Sequence, residues 1–426
     1  MTRKYLNSIR LMLSRRQAIQ GLGALIGGAA VGCGDDSDAT TNDAGTTGAT
    51  GTSGDASSSG DASTSTGGST SGTGTGTGDT STGTSTGAET TGTTTGSTGA
   101  VETTGDTTTT GEPVDECAIE SDLTPAELLA KVEHIVVICM ENRSFDHYYG
   151  SLKLVEGLAV EGLTGDEVNP DKDNQMVGVY KMDNFEPEDP PHGWDEVHAQ
   201  WNGGACDGFV LEHEKVWGPG IQQEVMGYHV REQLPVLYAL ADNYALCDHW
   251  FASLLGPTWP NRYYVHCATS KGRKDNTPAL PLPKTIQSVL GGAGISNNNY
   301  YDGLVAWRWG AFPGIGFSDT DSFDEFFSRI DAGTLEQVII IDPDFMANDD
   351  HPSHNIMLGQ AFIATIYEAL AQSEYWEKSL LVITYDEHGG FYDHVSPPAT
   401  EDSEGPEYAQ MGFRVPSVVI GPHVRR

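Results

Sequence analysis

The sequence predicts an α/β fold in which a mostly parallel central sheet is flanked by helices, preceded by a disordered N-terminal stalk. Three observations lead there: four short β-branched runs without apolar/polar alternation, a helix-period stretch between the second and third of them, and a long leading segment with no apolar pattern. The runs cover 134–140, 338–341, 380–385 and 415–420. Unbroken runs of this kind belong to strands buried on both faces of a parallel sheet. Between the second and third, residues 354–377 place Met357, Leu358, Ala361, Phe362, Ile366, Ala369 and Leu370 mostly at helical intervals, which makes a strand–helix–strand crossover. Further helices are expected over 125–131, with Thr124 as N-cap, and over 231–243.

The leading segment divides in two. Residues 1–33 carry Arg3, Lys4, Arg10, Arg15 and Arg16, no acid, and a glycine-rich apolar stretch over 18–31, the layout of an export signal. The stretch is too short and too rich in glycine for a membrane span, and Arg15-Arg16 resembles a twin-arginine signal, so an exported protein is expected: periplasmic, cell-surface or secreted. Cys33, after Ala30-Val31-Gly32, is a candidate lipoprotein acceptor and hence a membrane anchor; plain cleavage nearby is the alternative. Residues 34–113 are almost entirely Thr, Gly, Ser, Ala and Asp with no aromatic residue, a flexible linker unable to bury a core. The remainder, 114–426, is long enough for one large α/β domain.

The formal charge is −37, and the residues from Pro113 onward hold 49 acids against 18 bases. Such a surface repels a phosphate backbone, which excludes nucleic acid as a partner. Of the six cysteines none falls in a CxxC or Cys/His zinc spacing; export permits a disulfide or two among Cys117, Cys139, Cys206, Cys247 and Cys267.

Acids follow the strands: Glu141-Asn142 the first, Asp342 the second, Asp386-Glu387-His388 the third. Carboxyl ends of strands in such sheets form the ligand crevice, and acids meeting there repel unless a cation sits between them. A metal with hard oxygen ligands is therefore expected, Ca²⁺, Mg²⁺ or Mn²⁺. Gly256-Pro257 forces a turn after which Thr258 can cap a helix and Pro260 suits its first turn, a place whose amides and dipole favour a phosphate. On these grounds alone Thr258 reads first as a simple cap and only second as a hydroxyl nucleophile.

Longer blocks decide between the two. Glu141-Asn142-Arg143-Ser144-Phe145-Asp146-His147-Tyr148-Tyr149-Gly150 is followed by His192-Gly193-Trp194-Asp195, Trp201-Asn202-Gly203-Gly204, Leu255-Gly256-Pro257-Thr258-Trp259-Pro260-Asn261-Arg262 and Thr384-Tyr385-Asp386-Glu387-His388-Gly389-Gly390-Phe391-Tyr392-Asp393-His394. In this order they resemble the bacterial phosphoesterase family of C-type phospholipases and acid phosphatases, within the alkaline-phosphatase-like superfamily. The resemblance covers 132–422 and none of the linker. It implies an alkaline-phosphatase-like fold and metal-dependent hydrolysis of phosphate esters through a covalent phosphothreonine at Thr258. Glu141, Asn142, Thr258, Asp386 and Glu387 are the implied metal ligands, Asn142 also touching a phosphate oxygen, and His192 and His351 the groups around the transferred phosphoryl. His388 is a weaker candidate, and His147, His198, His354 and His394 are read as structural.

The implied substrate is a phospholipid or a soluble phosphate ester. A phospholipase C acting on phosphatidylcholine-like lipids is the first reading and an acid phosphatase acting on monoesters the second. From another class, an inactive stalked binding module is the rival. A sulfatase is disfavoured because no Cys-x-Pro-x-Arg element precedes the helix. Trp194, Trp201, Trp217, Trp250 and Trp259 lie near the blocks and serve either as core or as faces for a quaternary ammonium. Family members continue beyond the point corresponding to Arg426, so a C-terminally incomplete domain is expected.

Overall fold

A computed structural model describes residues 123–315 and 319–424. The expected export signal with Cys33, the linker over 34–113 and the first residues of the domain lie outside the described residues.

A seven-stranded sheet organises the domain. Its strands are β1 (His134–Met140), β2 (Ala245–Leu246), β3 (Asn297–Tyr301), β4 (Asp321–Ser322), β5 (Val338–Asp342), β6 (Ser379–Tyr385) and β7 (Val418–Ile420), in the spatial order β2-β7-β6-β1-β5-β3-β4. β1 is central and runs parallel to β5 and β6; β3 is parallel to β5 and β4. Val136, Ile138, Ile339, Ile341, Leu381 and Ile383 are buried, as strands covered on both faces require. The sheet is the mostly parallel arrangement read from the sequence.

The last run departs from expectation. Only Val418–Ile420 of 415–420 forms a strand, and it is antiparallel to both β6 and β2. Pro416 has no N–H to give a ladder, so pairing starts beyond it. Val415, before the proline, instead donates its N–H to Trp250 O at 3.0 Å.

Helices cover the sheet. α1 (Pro125–Leu129) has the expected Thr124 cap, completed as a capping box by Glu127, and is two residues shorter than 125–131. α2 is Trp194–Trp201; α3 is Pro235–Asn243, which begins four residues later than expected because Pro235 occupies the first-turn position that proline prefers. α4 is Thr258–Cys267. α5 (Ile356–Ala371) joins β5 to β6 on either side of β1, capped by Asn355, and buries Ile356, Phe362, Ile363, Ile366 and Leu370. It stops at Ala371, short of the expected 377; a 3-10 turn, Trp376–Lys378, leads into β6. Cys139, Cys206, Cys247 and Cys267 are all free thiols, so the disulfide expectation finds no pair among the described residues.

Candidate active site

Parallel register sets the site. Met140 pairs with Tyr385, and the N–H of Asp386 donates to Met140 O at 3.1 Å, so Glu141 and Asp386 leave neighbouring strands side by side. Glu141, Asn142, Asp342, Asp386 and Glu387 are all buried. The acids expected at the strand ends thus share one edge of the sheet.

The cation between them is, first of all, part of the protein. Arg262 of α4 is fully buried; its Nε donates to Asp386 Oδ2 at 2.9 Å and lies 3.4 Å from Glu141 Oε1, and its NH1 donates to Asp342 Oδ1 at 2.9 Å. The remaining fork nitrogen reaches the carbonyl of Cys139 at 3.1 Å. Converging acids therefore do not by themselves require a metal, because this guanidinium supplies part of the charge. From the sequence Arg262 had no role in the site, and Asp342 was placed among the strand-end acids but not among the metal ligands. The available signal was spacing: Arg262 follows Thr258 by four residues, one turn along the same helical face.

One guanidinium does not neutralise the cluster. Burial, and then Asp386, push the Glu141 carboxyl well above the usual carboxylate range. Burial pushes Asp386 up to about 7 in spite of Arg262. Burial acts in the same direction on Glu387, but His192 and hydrogen bonds from His388 and the Gly389 N–H outweigh it and hold that carboxyl below its ordinary value. Two neutral oxygens complete the surroundings: Asn142 Oδ1 and Thr258 Oγ1 are both buried without a hydrogen-bond partner. Negative charge left over, together with orphaned neutral oxygens, fits a hard divalent cation held by Glu141, Asn142, Thr258, Asp386 and Glu387.

Thr258 differs in detail from the expected cap. Pro257 occupies the N-cap position and Thr258 the first helical one, and no side chain caps the helix. Its hydroxyl is therefore not spent on the backbone. The turn also offers fewer amides than anticipated, since Trp259 N–H donates to Asn276 Oδ1 at 2.8 Å and Pro260 has none.

Asn142 links the acids to a histidine. Its Nδ2 donates to Glu387 Oε1 at 3.0 Å and lies 3.4 Å from His192 Nε2, which is 3.7 Å from Glu387 Oε1. His192 Nδ1 donates to Pro190 O at 2.7 Å, which orients the ring. The turn beyond Glu387 closes on Asn142 through Gly389, at φ +64°, where a Cβ would lie 2.1 Å from Asn142 O. Only glycine fits there.

His351 joins from the loop after β5, its ring 5.7 Å from that of His192. Asp189 faces both, its Oδ1 3.6 Å from His192 Nδ1 and 4.0 Å from His351 Nε2. Nothing in the sequence marked Asp189 apart from the other acids of its loop. His388 is buried and its Nε2 donates to Gln200 Oε1 at 2.9 Å, with Nδ1 3.3 Å from Glu387 Oε2. The four histidines read as structural have such partners: His147 Gly227 O, His198 Trp194 O, His354 Asp349 and His394 Asp146.

Among the described residues, two groups bring three His, Asp or Glu ligand atoms within 4.8 Å of one another: Asp189, His192 and His351, and Asp146, Asp393 and His394. The second already holds Arg414, whose guanidinium donates to both acids. The strand-end carboxylates are set wider, with Arg262 wedged among them. Of the tryptophans, Trp259 packs in a core cluster with Tyr263, Trp307 and Phe312, Trp217 and Trp250 are exposed, and Trp194 is half-buried.

The chain belongs to the Phosphoesterase family, whose model matches residues 132–426. It is 35% identical over 341 residues to non-specific phospholipase C1 of Arabidopsis thaliana, covering 71% of this chain and 63% of the relative. To phospholipase C A of Mycobacterium tuberculosis it is 29% identical over 377 residues, covering 74% and 72%. The chain thus spans less than two thirds of the plant relative's length. Among solved structures, a protein in the alkaline phosphatase superfamily from Vibrio parahaemolyticus overlays with a TM-score of 0.30 at 13% identity, over 61% of this chain and 64% of that one.

Proposed function

We propose that the protein hydrolyses phosphate esters by transferring the phosphoryl group to Thr258 and then to water, with phospholipid diesters as the substrate class. The observation that carries this reading is the Thr258 hydroxyl: buried, uncommitted to capping, and one turn before an arginine that binds the strand-end acids. A buried hydroxyl without a partner is costly unless it serves a ligand. The plant and mycobacterial relatives are named phospholipases C, which favours a lipid diester over a monoester.

In the first step Thr258 Oγ forms a bond to phosphorus as the bond to the leaving alkoxide breaks. A divalent cation held by Glu141, Asn142, Thr258, Asp386 and Glu387 would promote loss of the hydroxyl proton and offset phosphoryl charge. His192 and His351 stand ready to deliver the proton that the departing alkoxide needs, their rings aimed by Pro190 O and Pro352 O. Asn142 Nδ2, already between Glu387 and His192, is the donor nearest to hand for a phosphoryl oxygen. In the second step water attacks phosphorus from the opposite side, the same histidines accept the proton from water, and Thr258 Oγ leaves as the alkoxide, regaining from solvent the proton that it released to solvent in the first step.

The test is an acid quench during turnover followed by peptide mass spectrometry. A phosphodiester substrate leaves its headgroup phosphate on the Thr258 peptide; a monoester leaves phosphate alone. Thr258→Ala should form no adduct and lose most turnover while keeping its fold. Retention of more than roughly a tenth of kcat by that variant removes the nucleophile assignment.

A further inference from the structure

Trp194 opens α2 two residues after His192, and its indole lies against the turn that carries Thr258: a Cβ on Gly256 would meet the ring at 3.2 Å. Tyr408 stands beside it, ring centroids 5.3 Å apart and planes inclined at 56°. Lys274 Nζ lies against both rings, 4.7 Å from the Trp194 centroid and 5.9 Å from that of Tyr408, and donates to Glu407 Oε2 at 2.6 Å. The loop that carries the lysine is fixed at two points, by Trp259 N–H on Asn276 Oδ1 and by the Tyr408 hydroxyl on Gly272 O at 2.7 Å.

Two inclined aromatic faces and a carboxylate are the surroundings that recognise an ammonium group, quaternary ones included. Here an ammonium of the protein itself fills them, against a ring that is two residues from His192 and packs on the turn before Thr258. Lys274 and Glu407 are both partly exposed, so the corner opens to solvent. A choline headgroup arriving there meets a like charge and must displace an ion pair.

We propose that the Trp194–Tyr408–Glu407 corner is the headgroup subsite and that Lys274 is its specificity-determining residue, disfavouring diesters with a quaternary ammonium headgroup and favouring neutral or anionic ones. The inference rests on the phosphoester-hydrolase reading for its catalytic readout, and on ligand binding alone for a second one. It differs from the phosphatidylcholine-like lipids expected from the sequence, where the tryptophans were visible but the lysine seated on one of them was not. A lysine that merely clips two loops together would leave the ratio between headgroups untouched.

The experiment compares wild type, Lys274→Met and Lys274→Arg on p-nitrophenylphosphorylcholine and on p-nitrophenylphosphorylglycerol. Lys274→Met keeps the aliphatic stem and removes the charge; its choline-to-glycerol ratio of kcat/KM should rise about tenfold, the scale of a cation–π contact regained. Lys274→Arg should keep the wild-type ratio, and adding Trp194→Leu to Lys274→Met should cancel the gain. A ratio that stays within twofold of wild type in Lys274→Met, or falls, overturns the proposal. Calorimetry with phosphocholine separates this from failure of the activity itself: if no variant turns over either ester, the hydrolase reading falls. Tighter phosphocholine binding by Lys274→Met than by wild type then still upholds the corner, and equal or weaker binding refutes it.

Discussion

Arg262 Nε donates to Asp386 Oδ2 at 2.9 Å, one helical turn beyond Thr258, so the compensating cation of the strand-end acids and the proposed nucleophile share a face of α4. Truncating that cation leaves Glu141, Asp342 and Asp386 buried together. Arg262→Ala should cost about 3–5 kcal/mol in urea unfolding, the penalty of stranding buried charge. Arg262→Lys should cost less but not nothing, since a lysine cannot reproduce a fork that reaches Asp386, Asp342 and Cys139 O at once. A loss under about 1 kcal/mol for the alanine variant would show that the acids are not relying on Arg262.

Gly389 tests how tightly the turn after Glu387 must close. A methyl group at its Cα would overlap Asn142 O, and the φ of +64° adds roughly 1 kcal/mol of strain for any other residue. Gly389→Ala should push the Glu387 side of the turn away from Asn142 and lower turnover at least about tenfold, since small misplacements of positioned groups are expensive. Gly294, whose Cβ would meet nothing at φ +74°, provides the control: Gly294→Ala carries similar backbone strain without a clash and should leave kcat unchanged.

The parts of this protein legible in its sequence are those written locally. β-branched runs gave β1, β5 and β6; the acids that end them came to one edge because parallel register aligns strand ends. What stayed hidden was pairing over distance. Arg262 had to be placed against Asp342 and Asp386, 80 and 124 positions away, before its part in the cluster was visible. The direction of β7 depended likewise on where the chain re-enters the sheet, and the seat of Lys274 on Trp194 on a loop meeting the start of α2. Thr258 was found through a motif, whereas its uncapped state follows from Pro257 taking the cap position.

A second ion network gives a stability test at a distance from the strand-end acids. His394 Nδ1 lies 2.6 Å from Asp146 Oδ2 and Nε2 3.1 Å from Glu161 Oε1, with Arg414 and Asp393 packed alongside. Burial lowers its pKa, but the bond to Asp146 outweighs burial and raises it to about 9. A histidine pKa raised by folding stabilises fully below about 6.5 and ceases to do so as pH passes through about 9. The stability gap between wild type and His394→Gln should therefore be largest near pH 6 and shrink by on the order of 2 kcal/mol by pH 9.5. Denaturant midpoints at matched pH measure it; a gap that widens with pH contradicts the assignment.

Proton delivery by His351 is read through the leaving group. An aryl ester expels p-nitrophenolate, which scarcely needs a proton, whereas an alkyl ester must expel an alkoxide. Substituting a general acid should cost roughly 10²–10⁴-fold on the alkyl ester and far less on the aryl one. His351→Asn and His192→Asn, each assayed on glycerol phosphate diesters and on p-nitrophenyl esters, assign the role. The histidine whose loss falls mainly on the alkyl substrate is the acid, and equal losses on both mark a residue that binds the phosphoryl group in every state.

Cation binding is best probed at Glu387, because this carboxylate is independent of Arg262: its oxygens accept from Asn142 Nδ2 and from the Gly389 N–H at 2.6 Å. Glu387→Gln keeps the shape of the side chain and removes one charge from the proposed ligand set. Wild-type protein stripped with EDTA should lose turnover and regain it with one of Mg²⁺, Ca²⁺ or Mn²⁺, whose hard-oxygen preference matches the donors. In calorimetric titration with Mn²⁺, Glu387→Gln should bind at least about tenfold more weakly than wild type, as removal of a carboxylate ligand demands. Its unfolding midpoint without metal should stay close to that of the stripped wild type, since the Arg262 pairs are untouched. Equal Mn²⁺ affinity in the two proteins would take Glu387 out of the ligand set and leave the cation to the Glu141 and Asp386 side of the cluster.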